Sequence, residues 1–563
     1  MKRCAVLILL ALILGLTACG SNVDANVPND IRTQNLYRLA KVWGFVKFHH
    51  PTFLLGERCW DEELLQLLPQ VWYAQNTAET DAMLLDWIMS LPEAAGYPVQ
   101  YEIAYWLNIA AEDVNIQNDR NWILDETFLG ATLRDELAKL KEPRVLPGEN
   151  APHGFSYGFI EFSNLLSHRG ADFADPNYRL LGLFRIWNVF FYFFPYSDIM
   201  DYTWEDLLIE FIPKMLEGNN SLSYHLTLIQ LGARTNDAHI RFTNWQSILE
   251  RFGGFLVPVA LSRAEGHFVV SRVPGLSSQL QVGDVILQVD GVDIEALIAE
   301  RSRYFAVPNE EKVARLGNLI LRGHRAQISV TVLRNGDVHT FTEIGIREMI
   351  PGERLESHQL LTGNIGLINP GFLPSADSLS EIMEEFADTN GLIIDLRQYP
   401  SFLVVAYGLP LLIMEYPRPA VTFSIPNQVI PGSFFYDRMT SPAFAPGDWT
   451  NPNPYFYSNP IVLLIDETSM SYPEFATMKL RVAPNVTVIG TNSIGSNGDV
   501  VFVPLPGGNT MGYTGVGIFT PEGGQTQRIG LSPDIHVERT IQGITEGRDE
   551  LIEAAITYIQ SKS

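Results

Sequence analysis

Apolar and polar positions along this 563-residue chain change rhythm twice. From Ile31 to about Asn244 the apolar residues recur at helical spacing and are dense in aromatics, which predicts a helical first half. From Phe252 to near Ile344 the period shortens to that of strands, and Ile328 to Leu333 with Asp337 to Phe341 predict a hairpin across Arg334-Asn335-Gly336. After Pro351 short apolar runs at Ile365 to Ile368, Gly391 to Leu396 and Ile461 to Ile465 alternate with helical stretches such as Ser375 to Phe386. That alternation predicts a largely parallel sheet flanked by helices.

The run Ile461 to Ile465 is continuous and rich in β-branched residues, so it reads as a strand buried on both faces. A polar turn, Asp466 to Ser471, follows, and then a helix with Pro473 in its first turn. Ser471 therefore stands where a buried strand hands over to a helix, beside amides able to hold an oxyanion. A serine at such a junction is either a helix cap or a nucleophile, and the pattern alone leaves both open.

The helical half repeats itself. Leu39-Ala40-Lys41-Val42-Trp43-Gly44-Phe45 matches Leu183-Phe184-Arg185-Ile186-Trp187-Asn188-Val189, and the offset of 144 residues holds for Trp60 and Trp204, Pro69 and Pro213, and Asn76 and Asn220. Two related helical units are expected, with the aromatic stripes, His49 and His50 among them, serving as core. Only the second unit carries Asn236-Asp237-Ala238-His239. A lone histidine after a helix is a cap, a core group or a base.

Composition adds compartment more than chemistry. Lys2 and Arg3 precede an apolar run from Ala5 to Leu16 that ends in Thr17-Ala18-Cys19. This resembles a bacterial lipoprotein signal, which implies cleavage before a lipidated Cys19, membrane attachment through that lipid and a place in the cell envelope outside the cytoplasm. Loss of Lys2 and Arg3 would take the formal net charge from −25 to −27, which argues against a nucleic-acid partner. Cys59 would then be the sole cysteine in the folded part, so no internal disulfide is expected. Metal-ligand spacing and nucleotide-binding glycine loops are missing, and neither metal nor cofactor is expected.

Four segments carry family resemblance. Ser469-Met470-Ser471-Tyr472-Pro473-Glu474 resembles the S-A-S-A-S-E segment of the C-terminal-processing (tail-specific) serine proteases, whose second serine is the nucleophile; this implies that role for Ser471. Gly283-Asp284-Val285-Ile286-Leu287-Gln288-Val289-Asp290-Gly291 resembles the G-D-x-I-x-x-I-x-G signature of PDZ domains, and Gly253-Gly254-Phe255-Leu256 their carboxylate-binding loop. Such a module would bind a polypeptide through its C-terminus at Gly253, Gly254 and Phe255. Asp395-Leu396-Arg397-Gln398-Tyr399-Pro400-Ser401 stands where the family has D-L-R-G-N-x-G-G, which implies oxyanion amides at Ser401 or Phe402 together with Tyr472. The family's lysine base, twenty-five residues after the serine, is here Ser496. The chain is thereby closer to the tricorn-like branch, which implies His239 as general base, and Gln527 stands in place of that branch's glutamate.

The architecture expected is multidomain α+β: a signal peptide over 1–19, helical units over 30–165 and 170–250, a PDZ-like domain over 252–346, and an α/β crotonase-like tail-specific protease domain over 350–563. The function expected is that of a serine peptidase acting on exported polypeptides. The alternative, suggested by Ser496 and Gln527, is a peptide-binding scaffold that has lost its chemistry.

Overall fold

The structure is a computed structural model that describes residues 27–562 except 157, 275–277, 308, 348–351, 353, 443–452 and 455. The expected signal segment and Cys19 lie outside the described residues. No helix among the described residues is long and apolar enough to cross a membrane.

The repeat in sequence is a repeat in space. Helices Asn29–His49, Trp60–Trp72 and Thr77–Met89 recur as Pro176–Phe193, Trp204–Glu217 and Ser221–Ala233. The indole N–H of Trp43 donates to the Trp60 carbonyl at 2.9 Å, and that of Trp187 to Trp204 at 2.7 Å. Asn76 and Asn220 each cap the third helix of their unit through the side-chain oxygen. The first helices of the two units cross where Gly44 meets Asn188: a Cβ on Gly44 would fall 1.7 Å from the Asn188 side-chain oxygen, while Asn188 Nδ2 donates to the Ala40 carbonyl at 3.0 Å. The two units share one hydrophobic core, which also takes in Val501, Val503 and Tyr513 from the C-terminal part. The limit expected near 165 thus falls inside one core.

The β-rich segment forms an antiparallel sheet in the spatial order Asp337–Ile344, Gln327–Arg334, Val285–Val289, His267–Arg272, Ala260–Ala264. The expected hairpin closes at Arg334 opposite Asp337, with Asn335 and Gly336 both at positive φ, as a two-residue turn needs. The glycine loop departs from the carboxylate nest expected of it. Gly253, at φ 100°, spends its amide on the Leu249 carbonyl, and a Cβ there would fall 2.1 Å from Gly323. Phe255 and Leu256 pair with Gly323 and Arg322, and Leu256 bridges Ile346. Backbone groups already bonded within the module cannot hold a terminal carboxylate, so among these residues only Gly254 keeps an unbonded amide.

The third body is built on a six-stranded sheet in which spatial order follows chain order: His358–Leu361, Ile365–Ile368, Gly391–Asp395, Ile461–Ile465, Val486–Gly490, Ile535–His536. All pairings but the first are parallel. Ile461–Ile465 is buried along its whole length. Its odd-numbered residues face a core with Leu392, Ile394 and Met478, and its even-numbered ones face the final helix, Glu550–Lys562, through Leu551, Ala555 and Ile559. A second connection matters more for function. Arg241–Phe242 adds a short strand to Thr510–Thr514, with Gly512 opposite Arg241, and this carries the segment just before it onto the C-terminal body. Gly232 permits the approach, since a Cβ there would meet Ile240 at 2.9 Å.

Candidate active site

Ser471 ends the turn between Ile461–Ile465 and the helix Tyr472–Leu480, at φ 65° and ψ −117°. A non-glycine residue in that region is strained by about 1–3 kcal/mol and stays there only when its surroundings hold it. Bonds on both sides hold it: the Ser471 amide lies 2.9 Å from the Ser496 carbonyl and 3.0 Å from Glu474 Oε2, and its carbonyl accepts from the Phe475 amide at 3.0 Å. Glu474, buried, accepts also from the Ser496 amide (3.0 Å) on Oε2, and from the Ser493 hydroxyl (2.5 Å) and Gly495 amide (2.8 Å) on Oε1. Burial pushes its proton affinity up, and the donors oppose that shift. The loop it gathers rests on 527–530, where Gly495, at φ 75°, comes so close to Gly530 that a Cβ would fall 2.5 Å from the Gly530 nitrogen.

His239 arrives from the helical half and is 5% exposed. Its Nδ1 lies 2.7 Å from Thr514 Oγ1 and 3.1 Å from Ser496 Oγ. Both hydroxyls also reach Asp237 Oδ1, at 2.8 and 3.3 Å. Asp237 is fully buried, and its Oδ2 accepts from the Thr514 amide at 2.7 Å. A carboxylate only accepts, so the two hydroxyls give it their protons and turn lone pairs toward the ring. Nδ1 then carries the ring proton, and Nε2 keeps the free pair. Nε2 is buried, with no hydrogen-bond partner among the described residues. Burial pulls the proton affinity of His239 down to about 4; Asp237 opposes, while Lys312, Arg241 and Arg315 add to the fall.

Gln527 belongs to this cluster, but its Nε2 donates to Asp237 Oδ1 at 3.2 Å and not to the ring. Asp237, two residues before the histidine, supplies the charge that an amide at 527 lacks. Ser496, twenty-five residues after Ser471, bonds the imidazole through its hydroxyl and the Ser471 amide through its carbonyl. An amine does come close, from an unexpected quarter: Lys312 Nζ, of the β-rich segment, donates to the Ala238 carbonyl at 3.2 Å.

Ser471, Tyr472, Ser401 and Phe402 line one cavity of about 450 Å³. The Ser401 amide is taken by the Pro370 carbonyl at 3.0 Å, which leaves Phe402 and Tyr472 as the amides without an acceptor among the described residues. The Tyr472 hydroxyl fixes the facing loop, donating to the Phe402 carbonyl (3.1 Å) and accepting from the Ala406 amide (3.0 Å). Phe423, Tyr407 and Phe475 form apolar walls of the cavity, and Asp437 and Asp499 add carboxylates. The Asp395-Arg397 pair is structural: Arg397 bonds Asp395 and Asp549, and its carbonyl and that of Leu396 hold the Thr468 and Ser469 hydroxyls of the serine turn. Among the described residues no group of three or more His, Cys, Asp or Glu side chains could hold a metal ion.

Residues 431–537 match peptidase family S41. That segment holds Ser471, Glu474, Ser496, Thr514 and Gln527, while His239 and Asp237 lie outside it. A carboxy-terminal-processing protease of Bartonella bacilliformis is 33% identical over 90 residues, which is 16% of this chain and 21% of that protein. The chain thus matches about a fifth of that relative's length. Among solved structures, mature CPAF complexed with lactacystin is similar with a TM-score of 0.52 at 15% identity, over 68% of this chain and 98% of that one. The photosystem II D1 C-terminal processing protease has a TM-score of 0.40 at 18% identity, over 64% and 93% of the two chains. At such identity the likeness to CPAF is one of fold.

Proposed function

We propose that the chain is a serine peptidase in which Ser471 attacks a peptide carbonyl and His239 is the general base. The observation that carries this reading is the state of His239. Two hydroxyls anchored on a buried aspartate make Nδ1 the donor, and the free pair on Nε2 is left in the cluster that also holds Ser471 strained at the cavity wall. No hydrogen bond joins Ser471 Oγ to Nε2 among the described residues; such bonds are often long in unliganded enzymes and tighten with substrate.

The steps follow from these positions. As Ser471 Oγ bonds to the carbonyl carbon, its proton passes to His239 Nε2 and the carbonyl electrons move to oxygen, where the Tyr472 and Phe402 amides stabilise the oxyanion. The imidazolium is stabilised by Asp237 through Thr514 and Ser496, and returns its proton to the leaving amine. Water then hydrolyses the acyl-serine by the same route.

The substrate on this reading is a polypeptide. The amino-terminal pattern ending at Cys19 and the relative's name support an exported polypeptide cut near its C-terminus by an enzyme anchored through lipid. Recognition of the terminus by Gly253, Gly254 and Phe255 is not supported, because only Gly254 has a free amide. The test is digestion of an unfolded polypeptide such as casein, with fragments read by mass spectrometry. Cleavage by the wild type that disappears in Ser471→Ala supports the reading; no cleavage, or equal cleavage by both, favours a scaffold.

A further inference from the structure

The hydrolytic cluster buries two carboxylates, Asp237 and Glu474, and every donor that touches them is neutral. Asp237 accepts from hydroxyls, amides and Gln527, and Glu474 from a hydroxyl and three backbone amides. Two uncompensated negative charges in a dry site would draw a proton onto the nearest base, which is His239. The mechanism above needs that base empty.

A cation is delivered from outside the catalytic body. Residues 309–315 of the β-rich segment lie across the loops that carry the site. Asn309 Nδ2 donates to the carbonyls of Ile494 (2.6 Å) and Arg528 (3.1 Å). Lys312 Nζ donates to the Ala238 carbonyl (3.2 Å) and lies 3.7 Å from Met470 Sδ, the neighbours in sequence of His239 and Ser471. Arg315 Nη1 lies 3.0 Å from the same sulfur. Lys312 is 9% exposed; burial and the neighbouring Arg315 pull its proton affinity well below the ordinary lysine value, while Asp237 and Glu474 oppose that fall.

We propose, on the basis of the peptidase reading, that Lys312 is a positioning residue whose ammonium balances Asp237 and Glu474 and thereby keeps His239 unprotonated. Its role is that of a charge and not of a second base: its nitrogen spends a donor on the Ala238 carbonyl. It also enters from a different part of the chain than the family's lysine, whose place is filled by Ser496. The charged groups that act on His239 are then Asp237 on its own loop, Arg241 on the strand that follows, and Lys312 with Arg315 from the β-rich segment, while Glu474 from the serine helix acts on Lys312. Removing one positive charge from this set raises the proton affinity of His239, so the acid limb of activity moves to higher pH. A unit charge several ångströms away in such a site corresponds to a shift of about one pH unit.

The test is the second-order rate of labelling by a fluorophosphonate between pH 3.5 and 8 for the wild type, Lys312→Gln, Lys312→Met and Lys312→Arg. Glutamine keeps a donor for the Ala238 carbonyl without the charge, methionine keeps bulk alone, and arginine keeps the charge. The proposal expects the acid limb about one unit higher in both neutral variants and within a few tenths of wild type in Lys312→Arg. Limbs that superimpose in all four, or an arginine limb displaced as far as the glutamine limb, overturn it. Titration of the His239 carbon resonance in histidine-labelled wild type and Lys312→Gln gives the same answer without turnover. If no protein is labelled at any pH the nucleophile assignment fails, and that titration still decides for or against Lys312.

Discussion

Replacing Glu474 with glutamine probes the site where it is most tightly built. The carboxylate accepts four bonds, two on each oxygen, at 2.5 to 3.0 Å. An amide turns one of those oxygens into a donor: toward Ser471 and Ser496 it leaves two backbone amides facing an NH2 group, and toward Ser493 and Gly495 it leaves one, since the Ser493 hydroxyl can turn to accept. A hydrogen bond to a charged group contributes about 1.5–3 kcal/mol, and a buried donor left unpaired costs about as much. The loss is therefore about 3–5 kcal/mol, enough to lower the melting temperature by several degrees. One of the affected donors is the Ser471 amide or its neighbours in the same loop, and Ser471 at φ 65° has a lower-energy conformation to relax into. If about half of that energy is released as displacement of the nucleophile, labelling by a fluorophosphonate slows by roughly ten- to a hundredfold. Thermal unfolding and labelling rate are measured on the same preparation. A Glu474→Gln protein that melts within a degree of wild type and is labelled as fast would refute the claim that this carboxylate holds the serine in place.

Three other outcomes follow from the same contacts. Gln527→Glu should slow labelling about tenfold at pH 7, because a carboxylate replaces the donor 3.2 Å from Asp237 Oδ1; the rate should recover as the pH falls and the new group takes a proton, and a faster enzyme at pH 7 would contradict the reading. Burial pulls the proton affinities of His49 and His153 to about 3. Between pH 6.5 and about 3 the unfolded chain therefore binds more protons, and stability is lost as the pH falls through that window, by about 5 kcal/mol per histidine at most. His153→Phe, placed among the rings of Phe48 and Phe193, should flatten the fall in melting temperature between pH 6 and 4, and an unchanged slope would count against it. In the cavity beside Ser471, Asp499→Asn should reduce by about tenfold the preference for arginine over leucine next to the cleaved bond, as the loss of one charge-assisted bond requires; an unaltered ratio of kcat/KM values would place Asp499 outside the subsite.

Much of this arrangement was legible in the chain, and what was not shares a physical reason. A buried apolar run followed by a polar turn and a proline-led helix has one ordinary realisation, so the position of Ser471 at the strand-to-helix junction could be read from Ile461 to Leu480. The constant offset between tryptophans reflects two units that make the same indole bond. Glu474 was harder to read, because a glutamate three residues into a helix serves as an ordinary cap, and its other three donors come from residues 493–496. Asp237 stood in view beside His239, but its partners Thr514 and Gln527 lie 277 and 290 residues away, and no local pattern announces a contact of that range. Lys312 sits in a stretch without motif, where a charged side chain reads as solvated surface. The glycine loop at Gly253 misled for the opposite reason: glycines that suit a nest also suit a tight turn, and here the turn took the amides.

The central claim is that His239, held neutral with the pair on its buried Nε2 free, activates Ser471. Its most direct test is active-site labelling with a fluorophosphonate across pH 3.5 to 8, with the modified residue located by mass spectrometry, in the wild type, Ser471→Ala and His239→Gln. The account predicts a single adduct on Ser471, no adduct in Ser471→Ala, a rate at least a hundredfold lower in His239→Gln, and labelling by the wild type that persists to near pH 5. An adduct elsewhere, or equal labelling of Ser471 with and without the imidazole, would contradict it.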